Sequence, residues 1–364
     1  MNGRSRDRLS LNAEAVTPAV GFDVSINGSV HRLWLKLESY NPYDSIKSRT
    51  AYSLWQDVAN EVDPNIGIIE STSGNLGVAL AAIAAEHDVP FTAVVDIRSS
   101  GSVVETISAL GGRVKVIDRP DGTGGYLLNR LRYIKAQIRA RPRLIWTNQY
   151  ANPANPRAHA LGTAPELRAQ IPEPACVLVA VSTGGTLAGF RDYVAEANPD
   201  WELIGVDVNG SVALGGASGE RPLPGIGSSR RSEFLAQGYR PTVRVTSTEA
   251  VSACLWLMES AGIGVGASSG ALVAAALRLL RADPRRRSVV CVCADGPGHY
   301  LDTVYSSRWR EVQRLDLVDV ARGVEIVPAE IAPAETPIEI APVDRPPSDA
   351  EVAHPSAARA VAAP

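Results

Sequence analysis

The chain has 364 residues, 45% of them hydrophobic, 21% charged and only 5% aromatic, with a formal net charge of −3. That length allows two domains with buried cores, while the weakly acidic balance and scarce aromatics exclude a nucleic-acid surface or a single-strand stacking platform. No apolar run approaches the ~20 residues of a membrane helix, and MNGRSRDRLSLNAEA has no apolar core behind its basic residues, so no signal peptide and a cytoplasmic location are expected.

Taken in order, an alternating run over Arg32–Glu38 reads as a strand, broken by Asn41-Pro42. Asp44 and Ser45 are N-cap types, and a helix is expected from Ser45 to about Asn60. Lys47 then lies in the first helical turn, at the end of the helix dipole that disfavours a cation. An exposed lysine fits that position, and so does a lysine of lowered pKa able to form a Schiff base. From Ile66 onward short apolar runs alternate with helical patterns: IGIIE, FTAVVD and RVKVID, then CVLVAV, ELIGVDV, TVRVT and SVVCVC. The predicted helices among them cover about Asn75–His87, Gly101–Leu110, Gly124–Arg139, Leu187–Ala197, Thr248–Ala261 and Ala271–Leu280. Such alternation means parallel sheets covered on both faces. So many units point to two sheets, divided near Asn152-Pro153 and Asn155-Pro156. From Pro328 to Pro364 there are eight prolines and eleven alanines with no period, which predicts a disordered tail.

Cys176, Cys254, Cys291 and Cys293 form no C-x-x-C, and His31, His87, His159, His299 and His354 are scattered. Buried inert thiols and no metal are expected.

Three turns between a strand and a helix carry chemistry. Glu70–Gly77, ESTSGNLG, exposes small hydroxyls and backbone N–H groups that suit a carboxylate or phosphate. Ser182–Thr186, STGGT, suits a phosphate cup, because two glycines let the backbone approach an anion. It has neither dinucleotide-fingerprint nor Walker A spacing. Gly264–Gly270, GVGASSG, offers a serine able to meet a ring nitrogen, or simply an N-cap. Each turn alone is equally an ordinary capped βα-turn. The four features together, in this order, are hard to explain by chance.

On NPYDSIKSR, STSGNLG, NQYANP, STGGT, PGIG and ASSG, the chain over about residues 17–305 resembles the fold-type II pyridoxal-phosphate enzymes of the cysteine synthase and cystathionine β-synthase family. The resemblance implies two three-layer αβα domains with central, mostly parallel sheets (the tryptophan synthase β-like fold) and the cofactor in the cleft between them. It implies a flexible 1–15, an N-terminal domain over 16–155 with a smaller mobile subdomain, a cofactor-phosphate domain over 156–320 and a tail over 321–364. Lys47 matches the family's Schiff-base lysine. Thr72, Ser73, Gly74 and Asn75 match its loop for the substrate carboxylate, with Asn75 also beside the cofactor's ring hydroxyl, and Gln149 matches a second carboxylate contact. Thr183, Gly184, Gly185 and Thr186 match the cofactor-phosphate loop, Ser268 the partner of the pyridine nitrogen, and Gly227 a backbone contact of the site wall. A homodimer acting on small amino acids is implied too.

A serine at the ring nitrogen makes a weaker electron sink than an aspartate would, which suits β-elimination over transamination. DGTGGYLLNR, WTNQYAN and RPLPGIGSSR are similar to one branch of the family. That branch makes N-(2-amino-2-carboxyethyl)-L-glutamate from O-phospho-L-serine and L-glutamate through an aminoacrylate, towards 2,3-diaminopropionate for siderophores or peptide antibiotics. The likeness implies donor recognition by Arg130, Tyr150 and Ser182. Arg130 shares its helix with Arg132, Lys135 and Arg139, so a solvated helix face is the competing reading. The phosphate loop ends in Gly185 and Thr186 as in ordinary cysteine synthases, which keeps cysteine synthesis from O-acetyl- or O-phospho-L-serine and sulfide as the alternative. The short segment around Gly21, Phe22 and Asp23 and the C-terminal tail depart from the family pattern. A non-catalytic regulatory member and a dehydratase fit less well, given the intact Lys47 and anion loops and the lack of a regulatory domain after residue 320.

Overall fold

The structure, a computed structural model, describes residues 16–333 except 73, 124, 172–174 and 198. The expected flexible 1–15 and residues 334–364 of the expected tail lie outside the described residues.

Eleven strands and ten α-helices follow in chain order among the described residues. They begin β1 (Ala19–Ile26), β2 (Ser29–Leu37), α1 (Lys47–Val58), β3 (Ile68–Ser71), α2 (Asn75–Glu86), β4 (Phe91–Asp96), α3 (Gly101–Ala109), β5 (Arg113–Ile117), α4 (Leu127–Ala140) and β6 (Ile145–Trp146). Then come α5 (Ala154–Ala158), a π-helical turn (His159–Thr163), α6 (Ala164–Gln170), β7 (Ala175–Ala180), α7 (Gly185–Ala197), β8 (Trp201–Val208) and β9 (Thr242–Val245). The chain continues through α8 (Ser247–Ala261), α9 (Ala267–Ala282), β10 (Ser288–Cys293), α10 (Ser307–Val312) and β11 (Val324–Pro333).

The strands form a four-stranded sheet, β5-β4-β3-β6, and a seven-stranded sheet, β11-β1-β2-β10-β7-β8-β9. The small sheet is parallel throughout. The large one is parallel from β2 to β9, with β1 antiparallel to both neighbours. Both cover two faces, as the near-continuous apolar runs require. In β7, Cys176 and Leu178 pack with α8 and α9, whereas Val177 and Val179 pack with α6 and α7. In the small sheet, Ile68, Ala93 and Val95 meet α1, α2 and α3, while Ile69 and Val94 meet Ile134 of α4. All four cysteines are buried and free; burial pushes Cys176 and Cys293 up to about 12.

Three features differ from the sequence expectations. The sheets do not follow a continuous 16–155 unit, because β2 pairs in parallel with β10 and its Leu33, Leu35 and Leu37 join the core beneath α8 and α9. Residues 324–333, expected within an unstructured tail, form β11 on the edge beside β1, a place where proline is tolerated. And α1 begins at Lys47 rather than Ser45. Tyr43 and Asp44 take positive φ of 60° and 55°, and Ser45 is extended, bridging Asp295 after β10.

Candidate active site

The turns after β3, β7 and β10 open at the carboxyl ends of parallel strands, where open α/β sheets bind ligands. Lys47 is fixed there from both sides. Its backbone N–H donates to Ser45 Oγ at 3.1 Å, and the Ile46 N–H donates to the Ala294 carbonyl at 2.8 Å. Behind it, the fully buried Glu38 accepts from Asn41 Nδ2 at 2.7 Å and from Arg49 Nε at 2.8 Å. The Asn-Pro break and the arginine two residues after the lysine thus clamp one carboxylate. Burial brings the Lys47 amine down to about 8, against the pull of Asp295 in the other direction.

Asp295 is the centre of this end of the site and went unread in the sequence. Its Oδ2 accepts from Asn75 Nδ2 at 2.7 Å and from the Tyr300 hydroxyl at 2.6 Å, and Oδ1 has no partner. Burial holds its carboxyl above the usual range, opposed by those two bonds. A side chain on Gly266 would collide with it, so Gly266 lets the start of α9, with the buried Ser268, approach.

The loop after β3 is closed by Thr72, whose Oγ1 accepts from the Gly77 N–H at 3.0 Å and donates to the Gly74 carbonyl at 3.2 Å. Ser73 lies outside the described residues. Beneath the loop, buried Glu70 accepts from Thr147 Oγ1 at 2.6 Å, the Gln149 N–H at 3.0 Å and Trp146 Nε1 at 3.1 Å. Gln149 Nε2 and the Tyr150 hydroxyl both donate to the Ser71 carbonyl, at 2.7 and 3.3 Å. Glu70 therefore ties the β6 end to the β3 loop.

The turn after β7 is built for close approach. Gly184 has φ of +90°, and a Cβ there would collide with Ser232; a Cβ on Gly185 would collide with Asn155. Asn155 Nδ2 donates to the Gln149 carbonyl at 2.6 Å and to Thr183 Oγ1 at 3.3 Å, leaving Oδ1 buried without a partner. Thr186 Oγ1 lies 3.3 Å from His159 Nε2, which also reaches Thr50 of α1 at 3.2 Å. Burial, then the charges of Lys47 and Arg49, keep that imidazole neutral, well below its ordinary range. Ser182 Oγ donates to the Gly227 carbonyl at 3.2 Å.

Arg130 corrects one reading of the sequence: it is not on a solvated face. It is buried with Leu127, Leu131 and Ile134 on the inner side of α4. Its Nε stands 3.4 Å from Asp96 Oδ2, yet Nε and Nη1 make no hydrogen bond. Its charge acts on the buried Tyr150 phenol, whose pKa burial raises.

The residues fit pyridoxal phosphate. A glycine cradle without room for a Cβ leads into α7, where helix N–H groups favour an anion. A buried lysine, with its amine held near neutrality, stands beside the cradle's helix partner, and a serine opens α9. Of the residues singled out in the sequence, the structure joins Lys47 and Asn75 through Asp295, Gln149 and Tyr150 through Ser71, and Ser182 with Gly227. Asn155 and His159 link the phosphate turn to the rest. Neither was singled out as a site residue, although Asn155 lies within NPANP.

Comparison with known proteins agrees with this geometry. The family model described as "Pyridoxal-phosphate dependent enzyme" matches residues 11–295. The chain is 38% identical over 284 residues to N-(2-amino-2-carboxyethyl)-L-glutamate synthase of Cupriavidus metallidurans, covering 76% of this chain and 83% of that one. The protein of that name from Ralstonia nicotianae is 36% identical over 297 residues, covering 80% and 88%. Among solved structures, the O-acetylserine-dependent cystathionine β-synthase of Helicobacter pylori superposes with a TM-score of 0.73 at 28% identity, covering 81% and 98%. With its two mostly parallel sheets and this site, the chain belongs to the family of pyridoxal-phosphate-dependent enzymes.

Proposed function

We propose that the enzyme carries out β-replacement on O-phospho-L-serine, with the amino group of L-glutamate displacing phosphate to give N-(2-amino-2-carboxyethyl)-L-glutamate. The observation that carries this reading is Arg130, buried beside Tyr150, with Nε and Nη1 making no hydrogen bond and Asp96 no nearer than 3.4 Å. A buried guanidinium whose N–H groups are left without acceptors is costly unless a ligand completes it, and a phosphate matches its fork. The names of the two relatives support the same product.

Thr183–Thr186 would hold the cofactor phosphate, Ser268 its ring nitrogen and Lys47 its aldehyde carbon. Bound there, pyridoxal phosphate supplies the electron sink that lets the substrate's α-proton leave. The substrate carboxylate lies on Thr72–Asn75 and Gln149, which turns the Cα–H towards Lys47. The Lys47 amine, whose pKa burial brings down to about 8, takes that proton in its neutral form. The Cβ–O bond breaks with its electron pair going to phosphate, which Arg130, Tyr150 and Ser182 receive. The glutamate nitrogen, as a free amine, then bonds to Cβ and releases one N–H proton to solvent, and Lys47 returns the α-proton to Cα.

The cofactor-bearing halves divide as 16–155 and 156–320 except for the β1–β2 hairpin, and the four-stranded unit closes over the substrate. A cytoplasmic homodimer supplying 2,3-diaminopropionate for a siderophore or peptide completes the reading. Cysteine synthesis is the second reading, favoured by the Gly185-Thr186 ending of the phosphate turn.

The test is to incubate the cofactor-loaded enzyme with O-phospho-L-serine or O-acetyl-L-serine, each with L-glutamate or sulfide, following phosphate release and product mass. Phosphate release that depends on glutamate, with the carboxyethyl-glutamate mass, is expected. Turnover of acetylserine with sulfide alone would establish the second reading instead.

A further inference from the structure

Two arginines at the contact between the two sheets' halves have no part in the reaction above. Arg221, in the loop after β8, donates through Nη2 to Ser229 Oγ at 2.7 Å, and its stem packs against Gly227 of the site wall. Arg98, in the turn after β4, belongs to the other sheet; it is exposed, with its guanidinium 5.2 Å from the centre of the Tyr126 ring. The neighbouring Gly125 is one point of contact between the halves: a Cβ there would lie 2.5 Å from Ser229 Oγ and 3.7 Å from Arg221 Nη2.

The charges around these two are uneven. Arg130 has Asp96 and Arg230 has Glu233 as ion-pair partners. Among the described residues no carboxylate lies within ion-pair distance of Arg98 or Arg221. Asp121 and Asp207 attract Arg221 from farther off. However, Asp121 is already engaged by the Thr123 and Leu128 N–H groups, and Asp207 by the Val208 N–H and by Arg244 at 3.8 Å. Burial, together with the repelling charge of Arg98, holds the Arg221 guanidinium below its usual range. Arg221 is held in place by the Gly210 and Gly219 carbonyls as well as by Ser229, but neither guanidinium has an ion-pair partner, and the two, one from each half, repel across Gly125-Tyr126. An anion between them would remove that repulsion and draw the halves together.

We propose that Arg98 and Arg221, with Ser229, form a carboxylate subsite for the incoming amino acid, selecting an anionic nucleophile over a neutral one. It rests on the β-replacement reading for the chemistry, but not for the binding. The subsite adjoins Gly227, against which the Arg221 stem packs and whose carbonyl accepts from Ser182 Oγ. Because it spans the two halves, occupancy by the acceptor also favours the closed cleft.

The test uses cofactor-loaded wild type, Arg98→Gln, Arg221→Gln, Arg221→Lys and the double glutamine variant. In steady state the KM for L-glutamate should rise about tenfold or more in either glutamine variant, with the KM for O-phospho-L-serine changing less than threefold. The double variant should be little worse than either single one, since one carboxylate bridges both. Arg221→Lys should recover part of the loss. Unchanged glutamate KM in Arg98→Gln, whose exposed side chain bears little on folding, would overturn the proposal. So would an equal rise in both KM values. If the wild type does not use glutamate at all, the β-replacement reading fails separately, and calorimetric titration with glutarate decides the subsite. Binding by wild type that weakens about tenfold in both glutamine variants sustains it; equal binding by all, or none by wild type, overturns it.

Discussion

Replacing Lys47 by methionine should make the cofactor-free chain more stable at neutral pH. The fall of the Lys47 amine from 10.5 to about 8 corresponds to about 3 kcal/mol against its charged form in the fold. Between about pH 8 and 10.5 the unfolded chain keeps a proton that the folded chain has released, so stability rises with pH across that window. Below about pH 8 both states carry the proton and the whole penalty applies. Methionine has a similar shape without the charge. Part of the gain is lost because Asp295 loses its cationic neighbour. For a chain of this size the net effect is a rise in Tm of roughly 3–6 °C at pH 7, shrinking towards zero by pH 10.5. Paired thermal melts of both cofactor-free proteins across that range read the difference directly, since other titrating groups cancel. A variant that melts below wild type at pH 7, or a gap that does not change with pH, would refute the account of Lys47 as a strained cation.

Arg130→Gln should lower kcat/KM for O-phospho-L-serine about 100-fold and leave turnover of O-acetyl-L-serine within a few fold; equal losses on both donors would remove Arg130 from phosphate recognition. Gly184→Ala should weaken cofactor affinity about tenfold or more, because φ of +90° and the collision with Ser232 both oppose a Cβ. Adding Ser232→Gly should restore only part of it, as an absorbance titration with pyridoxal phosphate will show. Glu166 bridges Lys36 and Arg49, so Glu166→Gln leaves two buried cations sharing Glu38 and should cost about 3–5 kcal/mol. Lys36→Met leaves the Arg49–Glu166 pair whole and should cost far less; denaturant melts of both variants compare them.

The strands and helices around the site were readable because their periods are strong and local. Lys47 in the first turn of a helix and the turns at 72–75 and 183–186 between a strand and a helix were legible in the same way, whereas the roles expected of them came from the family resemblance. Arg130 was ambiguous for a physical reason: arginines on one helix look like a solvated face. The resolving signal was present, since Leu127, Leu131 and Ile134 set the buried stripe and Arg130 falls on it. The bonds by which Asp295 and Glu70 tie the site together gave no local signal, because Asn75 and Thr147 lie 220 and 77 residues away from them in sequence. The pairing of β2 with β10 is equally invisible locally. An alternating nine-residue strand states which face is buried but not which strand lies beside it. The strand β11 was missed because proline at 328 and 333 argues against a ladder, an argument that holds for central strands and fails at an edge.

The insertion of β10 between β2 and β7 also bears on how the molecule can be made. The hairpin of β1 and β2 leaves the ribosome before the other described strands, yet its parallel partner begins only at Ser288. Until then β2 offers an open edge and Leu33, Leu35 and Leu37 lack the core they join. The small sheet, from Ile68 to Trp146, can close on itself during synthesis, but the large one is sealed only after β10 has emerged. A nascent chain stopped between β9 and β10 is therefore the aggregation-prone form of this protein, and Lys47, tethered through Ile46 to Ala294, reaches its place last.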